Sequence, residues 1–183
     1  MDLTGKIIVS MPSLEDERFF KTVIYMCAHS SEGSMGIIIN KKIDYDLYPD
    51  LLEQLGIDKP LDNKKLFIRY GGPVESGRGF VLHSDDIIRK ETLNIDKGVA
   101  LTSTAEFFDD LSVGKGPKNS ILALGYAGWG PGQLENEILK NSWMTLSVDN
   151  NFLFDDEVSS KWIDAYKIIG VDPNKLSSES GRA

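Results

Sequence analysis

A tryptophan flanked by glycines is the most distinctive group of residues in this chain. Residues 128–132 read Gly-Trp-Gly-Pro-Gly, and a helix is expected to begin near Gln133. Glycine-rich loops before helices can hold phosphate through backbone amides and the positive end of the helix dipole. Glu135 and Glu137 fall at the start of the expected helix and would repel an anion. The pattern therefore favours a rigid turn, or a binding platform with Trp129 as an amphipathic anchor, over phosphate binding.

His83 is the candidate for acid–base chemistry, because the residues that follow it, 84–86, read Ser-Asp-Asp. A histidine beside carboxylates can act as a general base, or it can hydrogen-bond to backbone and close a strand. The second arrangement is the more common one. A small hydrolase or metal-assisted enzyme that uses His83 with carboxylates such as Glu135 or Glu137 is nevertheless the alternative function for this chain.

Metal and thiol chemistry have little support in the sequence. The chain contains two histidines and a single cysteine, Cys27, which is too few for a structural zinc site. Cys27 lies in the apolar run 23–28, which predicts a small buried side chain and not a reactive thiolate. The Gly-x-Ser-x-Gly pattern of a nucleophile elbow is missing from the sequence. We therefore predict no catalytic residue, no metal site and no cofactor, and favour a protein that is not an enzyme.

Length and composition are typical of one globular domain. The chain has 183 residues, of which 41% are hydrophobic and 26% are charged. No apolar run approaches the ~20 residues of a membrane helix, and residues 1–4 lack the layout of a signal peptide. The net charge of −8 argues against direct binding of nucleic acid, which depends on Lys and Arg. The sequence predicts one domain over residues 1–171 and a polar, flexible tail over residues 172–183.

Several strands and short helices are expected to position these residues. Residues 21–28 and 35–39 are rich in β-branched side chains and predict a hairpin, and residues 92–95 and 99–102 predict a second one. Ser103 and Glu106 fit a capping box, which predicts a helix that ends near Leu111. The remaining predictions are a strand that ends at Leu124, a loop from Gly125 and helices over residues 47–55, 133–140 and 157–169.

A second glycine-rich segment, Gly71-Gly72-Pro73, follows the predicted strand 66–70. It can be a bend in a curved sheet, with Pro73 in a cis or a trans peptide, or a loop that frames a shallow cleft together with the Trp129 loop. Asn40, at the end of the second hairpin strand, can hold a turn or direct its amide into the same cleft. The sequence leaves both pairs of alternatives open.

Three blocks of sequence together resemble the YqgE/AlgH family of bacterial proteins. The blocks are MGIIIN at residues 35–40, GGPV at 71–74 followed by RGFVLH at 78–83, and GYAGWGPGQLENE at 125–137 followed by NSW at 141–143. They occur in the family's order, and the resemblance extends from Gly5 nearly to the end of the chain. The tract 40–64 shows no fixed pattern.

The resemblance implies an α/β sandwich, of mixed α+β type, in which short helices flank a mixed, strongly curved or barrel-like β-sheet. It also implies a cytoplasmic protein, and members are sometimes labelled transcriptional regulators. The family offers no established catalytic residues to transfer to this chain.

The function predicted from these observations is a non-catalytic cytoplasmic binding or regulatory module. Its partner is an unknown protein or small ligand, and the chain is expected to be a monomer or a weak homo-oligomer without direct contact to nucleic acid or membrane. The predicted ligand- or partner-binding residues are Asn40, Gly71, Gly72, Pro73, His83, Trp129, Gly130 and Gln133.

Overall fold

The structure is a computed structural model that describes residues 2–43, 68–96 and 98–176. In this part of the chain nine strands form one large sheet, with helices on both faces. The strands are β1 (Ile7–Ser10), β2 (Val23–Ser30), β3 (Gly33–Ile38), β4 (Ile68–Tyr70), β5 (Val74–Ser84), β6 (Leu93–Asp96), β7 (Val99–Thr102), β8 (Ser120–Trp129) and β9 (Trp143–Leu146). The helices are α1 (Ala105–Ser112), α2 (Gln133–Leu139), α3 (Asn150–Phe154) and α4 (Lys161–Ile168). None of the described helices is long and apolar enough to cross a membrane.

The strand order is β6-β7-β5-β8-β3-β2-β1-β9, and β4 pairs with β8. Every pairing is antiparallel except the one between β4 and β8, which is parallel. The predicted mixed α/β architecture is therefore confirmed, as an open sheet that does not close into a barrel. The two predicted hairpins are confirmed as β2–β3 and β6–β7.

Side chains alternate between the two faces of the sheet, and each face has its own core. On the inner face, Ile7, Val9 and Tyr25 pack with Trp162 and Tyr166 of α4. On the outer face, α2 and α1 cover two separate apolar clusters, which contain Leu134 and Phe107 respectively. The sheet is therefore the middle layer of a three-layer sandwich, with helices covering each face. Apolar residues on both faces of the strands are what such a sheet requires.

The predicted loop from Gly125 is wrong, because β8 continues through this segment to Trp129. Gly125 has a φ of +68°, and this conformation shifts the alternation of side chains by one residue without ending the strand. Ile121 and Ala123 face the inner core before it, and Tyr126 does so after it. Continued pairing with β3 keeps the second half of the strand in the sheet.

Two helix predictions differ from the structure, and one helix was missed. The capping box is wrong, because Thr104 is the N-cap of α1 and the Ser103 hydroxyl accepts a hydrogen bond from Arg78. The predicted helix 157–169 is shorter in the structure, where α4 spans Lys161–Ile168 after an acidic loop. The short helix α3 was not predicted. The predicted helix 47–55 lies outside the described residues.

The end of the chain is described only as far as residue 176. Residues Pro173–Lys175 form a single 3₁₀ turn, capped by the side chain of Asp172, with Pro173 buried. The limits of the predicted domain and tail stay predictions.

Candidate functional site

The two glycine-rich segments meet as backbone packed on backbone. A methyl group on Gly71 would lie 2.2 Å from the carbonyl oxygen of Gly125, and one on Gly72 would lie 2.1 Å from the carbonyl carbon of Tyr126. Gly71 also donates its N–H to Leu124 and accepts from Ile38, so it joins β8 to β3. The structure thus brings the predicted Gly71 and Gly72 beside β8, in direct contact and without a cleft between them.

The chain leaves this contact through Pro73 and enters β5. All described peptide bonds are trans, including the one before Pro73. Val74 then pairs with Tyr126 and is 36% exposed. Residues 75–78 form a bulge, and pairing with β8 resumes at Gly79. This irregularity lies opposite Gly125, where the alternation of side chains in β8 is interrupted.

The indole of Trp129 lies in the outer core. Trp129 is 7% exposed and packs against Phe19 and Trp143. Its Nε1–H donates to Oε2 of Glu137 over 3.0 Å, and Trp143 Nε1–H donates to the same oxygen over 2.8 Å. One carboxylate therefore satisfies two indoles that would otherwise lack partners in a largely apolar setting.

Gly130 and Gln133 complete this hydrogen-bonded group. Gln133 donates from Nε2 to Oε1 of Glu137 and accepts the N–H of Gly130 at its Oε1. The side chain of Gln133 thus closes the turn between β8 and α2. With Glu137 bound to the indoles and Glu135 lying 3.5 Å from His29, the start of α2 is already surrounded by protein groups. This arrangement disfavours a phosphate at the helix N-terminus.

Asn40 holds the beginning of β2. Its Oδ1 accepts from the N–H of Val23 over 2.8 Å, and its Nδ2 donates to the carbonyl of Lys21 over 2.9 Å. Both ends of the amide are therefore used in joining the chain before β2 to the chain after β3. Of the two roles considered for Asn40, the structure places it in the structural one.

His83 is fully buried in β5, and both ring nitrogens are engaged. Nδ1 lies 2.8 Å from the carbonyl oxygen of Ser84, and Nε2 lies 2.9 Å from Oγ1 of Thr102. A carbonyl oxygen only accepts, so the neutral ring carries its proton on Nδ1 and accepts the Thr102 hydroxyl at Nε2. Burial lowers the pKa of His83, although the backbone bond to Ser84 and the carboxylates of Asp86 and Asp85 oppose the shift. These contacts match the predicted role of closing a strand.

The groups required by the alternative enzyme have different partners in the structure. Glu137 binds two indoles, Glu135 faces His29, and His83 lies against Thr102 and Phe107. Among the described residues, no group of three or more His, Cys, Asp or Glu side chains is placed to hold a metal ion. Cys27 is buried, as predicted, and burial raises the pKa of its thiol to about 12.

An open depression lies on the inner face, at the end of the β2–β3 hairpin. We call it the hairpin depression, and it has a volume of about 440 Å³. Its lining residues are Ala28, Ser30, Glu32, Gly33, Ser34, Met35, Val74, Tyr126, Gly128 and Trp129. Both predicted loop segments contribute to it, through Val74 on one side and residues 126–129 on the other.

Of the individually predicted site residues, Trp129 lines the hairpin depression. Gly71 and Gly72 pack on β8, and Gly130 and Gln133 bond to each other at the start of α2; none of these four is among the lining residues. Sequence analysis missed Met35 and Tyr126, whose side chains flank the depression. Regular two-residue alternation would have placed Tyr126 with Leu122 and Leu124 on the outer face, so the sequence held no simple signal for its inner-face position. The positive φ of Gly125 exchanges the two faces at this point.

The fold and the hairpin depression define an α/β sandwich with an open apolar surface at one end of its sheet. The chain matches the model of the AlgH-like family over residues 7–174. It is 48% identical to a UPF0301 protein of Bradyrhizobium diazoefficiens, over 99% of this chain and 88% of that protein. It is 46% identical to a UPF0301 protein of a Jannaschia species, over 100% of this chain and 96% of that protein.

Two solved structures share the fold. The solution structure of AlgH from Pseudomonas aeruginosa matches with a TM-score of 0.80 and 34% identity, over 100% of this chain and 97% of that one. A protein from Corynebacterium diphtheriae matches with a TM-score of 0.70 and 18% identity, over 92% and 87% of the two chains, which supports the fold alone. The chain belongs to the AlgH-like family, also called YqgE/AlgH or UPF0301, and the resemblance inferred from its three sequence blocks is confirmed.

Proposed function

We propose that this protein is a non-catalytic binding or regulatory module and that the hairpin depression is its contact surface. The observation that supports this proposal is an open, partly apolar depression, which is lined by Val74 and by Tyr126, Gly128 and Trp129 next to the contact of the two glycine-rich segments. Binding sites commonly combine apolar walls with a few polar groups, and here Met35, Val74 and Tyr126 lie beside Ser30 and Glu32.

The rigidity of the surrounding backbone supports this proposal. The close approach of Gly71 and Gly72 to β8 fixes the position of Val74, and Phe80 packs edge-on against Tyr126 with centroids 5.6 Å apart. A surface that is already formed costs less entropy to bind than one that must be ordered. The burial and full hydrogen bonding of His83 support a non-catalytic role over an enzyme based on that residue.

The partner in this proposal is a protein or a small ligand of the bacterial cytoplasm. Nucleic acid is not a proposed partner, because the chain carries a net charge of −8. We propose that the protein acts as a monomer or a weak homo-oligomer.

An amide NMR titration of labelled protein tests the proposal. A lysate of the source bacterium is separated into low-mass and macromolecular fractions, and each is added in turn. We expect one fraction to shift or broaden the amide signals of Ser34, Met35, Tyr126 and Gly128. Trp129→Ala is unsuitable as a probe, because it removes a buried side chain and would disturb the fold itself.

A matched pair of variants assigns the effect to the depression. Val74→Glu places a charge at its rim and should weaken the response about tenfold, because a buried unpaired charge is costly. Ile88→Glu makes the same change at a residue outside the depression with similar exposure, 42% against 36%, and should bind as the wild type does. An unchanged response in folded Val74→Glu, or shifts confined to another surface, would show that the depression is only a bend in the sheet.

A further inference from the structure

Two positively charged side chains are buried close together, next to the chain that follows α3. Arg69 comes from β4 and Lys161 is the first residue of α4, and each is 2% exposed. Arg69 donates from Nη2 to the carbonyl oxygen of Asp155, and Lys161 donates from Nζ to the carbonyl oxygen of Phe152. Charged side chains are rarely buried to this extent unless opposite charge accompanies them.

The cost of burying two positive charges together shows in Lys161. Burial lowers the pKa of its ammonium group to about 8, and the positive charge of Arg69 acts in the same direction. A negative charge next to this pair would reduce the cost, because it favours the charged form of both side chains.

The guanidinium group of Arg69 uses its donors unevenly. Nη1 donates to the carbonyl oxygen of Ile39 over 2.7 Å. Nη2 reaches the carbonyl oxygen of Asp155 over 3.3 Å, and the buried Nε has no hydrogen-bond partner among the described residues. Nε and Nη2 form one edge of the planar group, and such an edge binds a carboxylate through two parallel hydrogen bonds. We call it the Nε–Nη2 edge of Arg69. Buried donors are almost always paired, so the free Nε indicates an acceptor from outside the described residues.

The carboxylate beside this edge is a loose partner. Oδ1 of Asp156 lies 3.7 Å from Nη2, which is beyond hydrogen-bond distance, and the side chain of Asp156 is 79% exposed. Asp155 directs its carboxylate to the N–H of Glu157, while its backbone carbonyl bonds to Arg69. An ion pair that is exposed to water contributes little, so Asp156 can be displaced at small cost.

A small carboxylate with one negative charge matches these features. Its two oxygens fit the Nε–Nη2 edge, and its charge is opposite to the charges of Arg69 and Lys161. Phosphate matches less well, because Asp155 and Asp156 would repel its second negative charge.

We propose that the Nε–Nη2 edge of Arg69 binds a small carboxylate, which displaces the side chain of Asp156. Nη1 stays bonded to Ile39 and holds the guanidinium group in position, while Lys161 supplies a second positive charge. Asp156 belongs to an exposed loop, so its side chain can leave the edge without disturbing the core. Neither Arg69 nor Asp156 is among the described lining residues of the hairpin depression, so this carboxylate is additional to the proposed partner.

The test is an NMR titration of the full labelled chain with sodium acetate at neutral pH. The Nε–H group of Arg69 gives a signal of its own, which Arg69→Lys identifies by its disappearance. We expect this signal and the amide signals of Asp155, Asp156 and Glu157 to shift saturably. Sodium chloride at the same ionic strength should shift them much less, because chloride offers one centre to the two donors. Sodium phosphate forms a third arm and should bind more weakly than acetate.

Two variants with opposite expected effects assign the site. Asp156→Asn removes the competing charge at an exposed position and should tighten acetate binding about fivefold, the upper range for an exposed ion pair. Arg69→Lys keeps the positive charge but loses the paired donors, and should weaken acetate binding about tenfold. Asp172→Asn removes the same charge from a 3₁₀ cap, where the carboxylate bonds to Asn174, and should bind as the wild type does.

Three results would overturn the proposal. The first is the lack of a saturable shift of the Arg69 Nε–H signal with acetate. The second is a chloride response equal to that of acetate, or tighter binding of phosphate. The third is an acetate affinity of Asp156→Asn that does not exceed that of the wild type, a result that remains informative if Arg69→Lys does not fold. Shifts at the hairpin depression concern the proposed function instead, so the two ideas fail separately.

Discussion

The outer face around α2 and the inner face around Tyr25 treat their polar groups in opposite ways. Next to α2, the indoles of Trp129 and Trp143 both donate to the carboxylate of Glu137. The Gln133 side chain accepts from the Gly130 N–H and donates to Glu137. On the inner face, the hydroxyl of Tyr25 has no hydrogen bond among the described residues, but it opens on a cavity and is not closed off from water. Conspicuous residue types are therefore a poor guide to a binding surface. A hydroxyl that reaches water needs no partner inside the protein, whereas the indoles of the outer core need the carboxylate.

The largest loss of stability should come from changing the backbone contact between Gly71 and Gly125. Gly71→Ala places a methyl group 2.2 Å from the Gly125 carbonyl, and the backbone there has no room to move. We expect a loss of about 3 kcal/mol or more in the free energy of unfolding, which is the upper range for overpacking. Urea denaturation measures it.

Gly77→Ala is the matched control, because a methyl group there meets no atom within 4 Å. Its stability should stay within about 0.5 kcal/mol of the wild type. Equal stability of both variants would mean that the two glycine-rich segments are not in contact.

The next effect concerns the shared carboxylate. Glu137→Ala leaves the indole N–H groups of Trp129 and Trp143 without their acceptor. Stability should fall by about 2 kcal/mol or more, because each unsatisfied donor costs about 1–3 kcal/mol. The two indole signals in an NMR spectrum should move while the other amide signals change little. Asn136→Ala alters an exposed neighbour on the same helix and should leave both signals in place.

A pair of tyrosines tests the contrast directly. Tyr166→Phe removes a hydroxyl bound to Ser10 and should lower the free energy of unfolding by about 1 kcal/mol. Tyr25→Phe removes an unpaired hydroxyl and should leave stability unchanged within about 0.5 kcal/mol or raise it slightly. Denaturation curves of both variants at one pH give the comparison. A larger loss for Tyr25→Phe would show that its hydroxyl has a partner inside the protein.

The smallest effect is a pH dependence from His83. Burial lowers its pKa, so the unfolded chain binds a proton at a higher pH than the folded protein does. Stability should therefore fall as the pH drops through the unfolded value, about 6.5 for histidine, and the decline should end below the lowered folded pKa. The slope of the free energy of unfolding against pH corresponds to at most one more proton bound by the unfolded chain than by the folded protein.

His83→Gln should remove this part of the curve while the contribution of the carboxylates stays in both proteins. Stability curves of the wild type and the variant between neutral and mildly acidic pH measure the difference. A decline that is equally steep in the two proteins would place the titrating group elsewhere.

Much of the local structure could be predicted from sequence. The β-branched runs before and after residues 29–33 predicted the β2–β3 hairpin, and the second hairpin followed from the same kind of pattern. The capping box failed because the Ser103 hydroxyl is bound to Arg78, a residue distant in sequence. The propensity of a residue to cap a helix is judged from its neighbours along the chain. It contains no information about a hydrogen-bond partner that another strand supplies.

The sequence by itself determined the family, the strand-rich α/β class and the burial of Cys27, because repeated apolar patterns and motif order are local properties. Only the tertiary structure decided that Trp129 is a core residue, that Gly71 packs on Gly125 and that Tyr25 lines a cavity. The physical reason is that these facts depend on contacts between strands far apart in sequence. A glycine in a loop and a glycine where two backbones touch look identical until the chain folds.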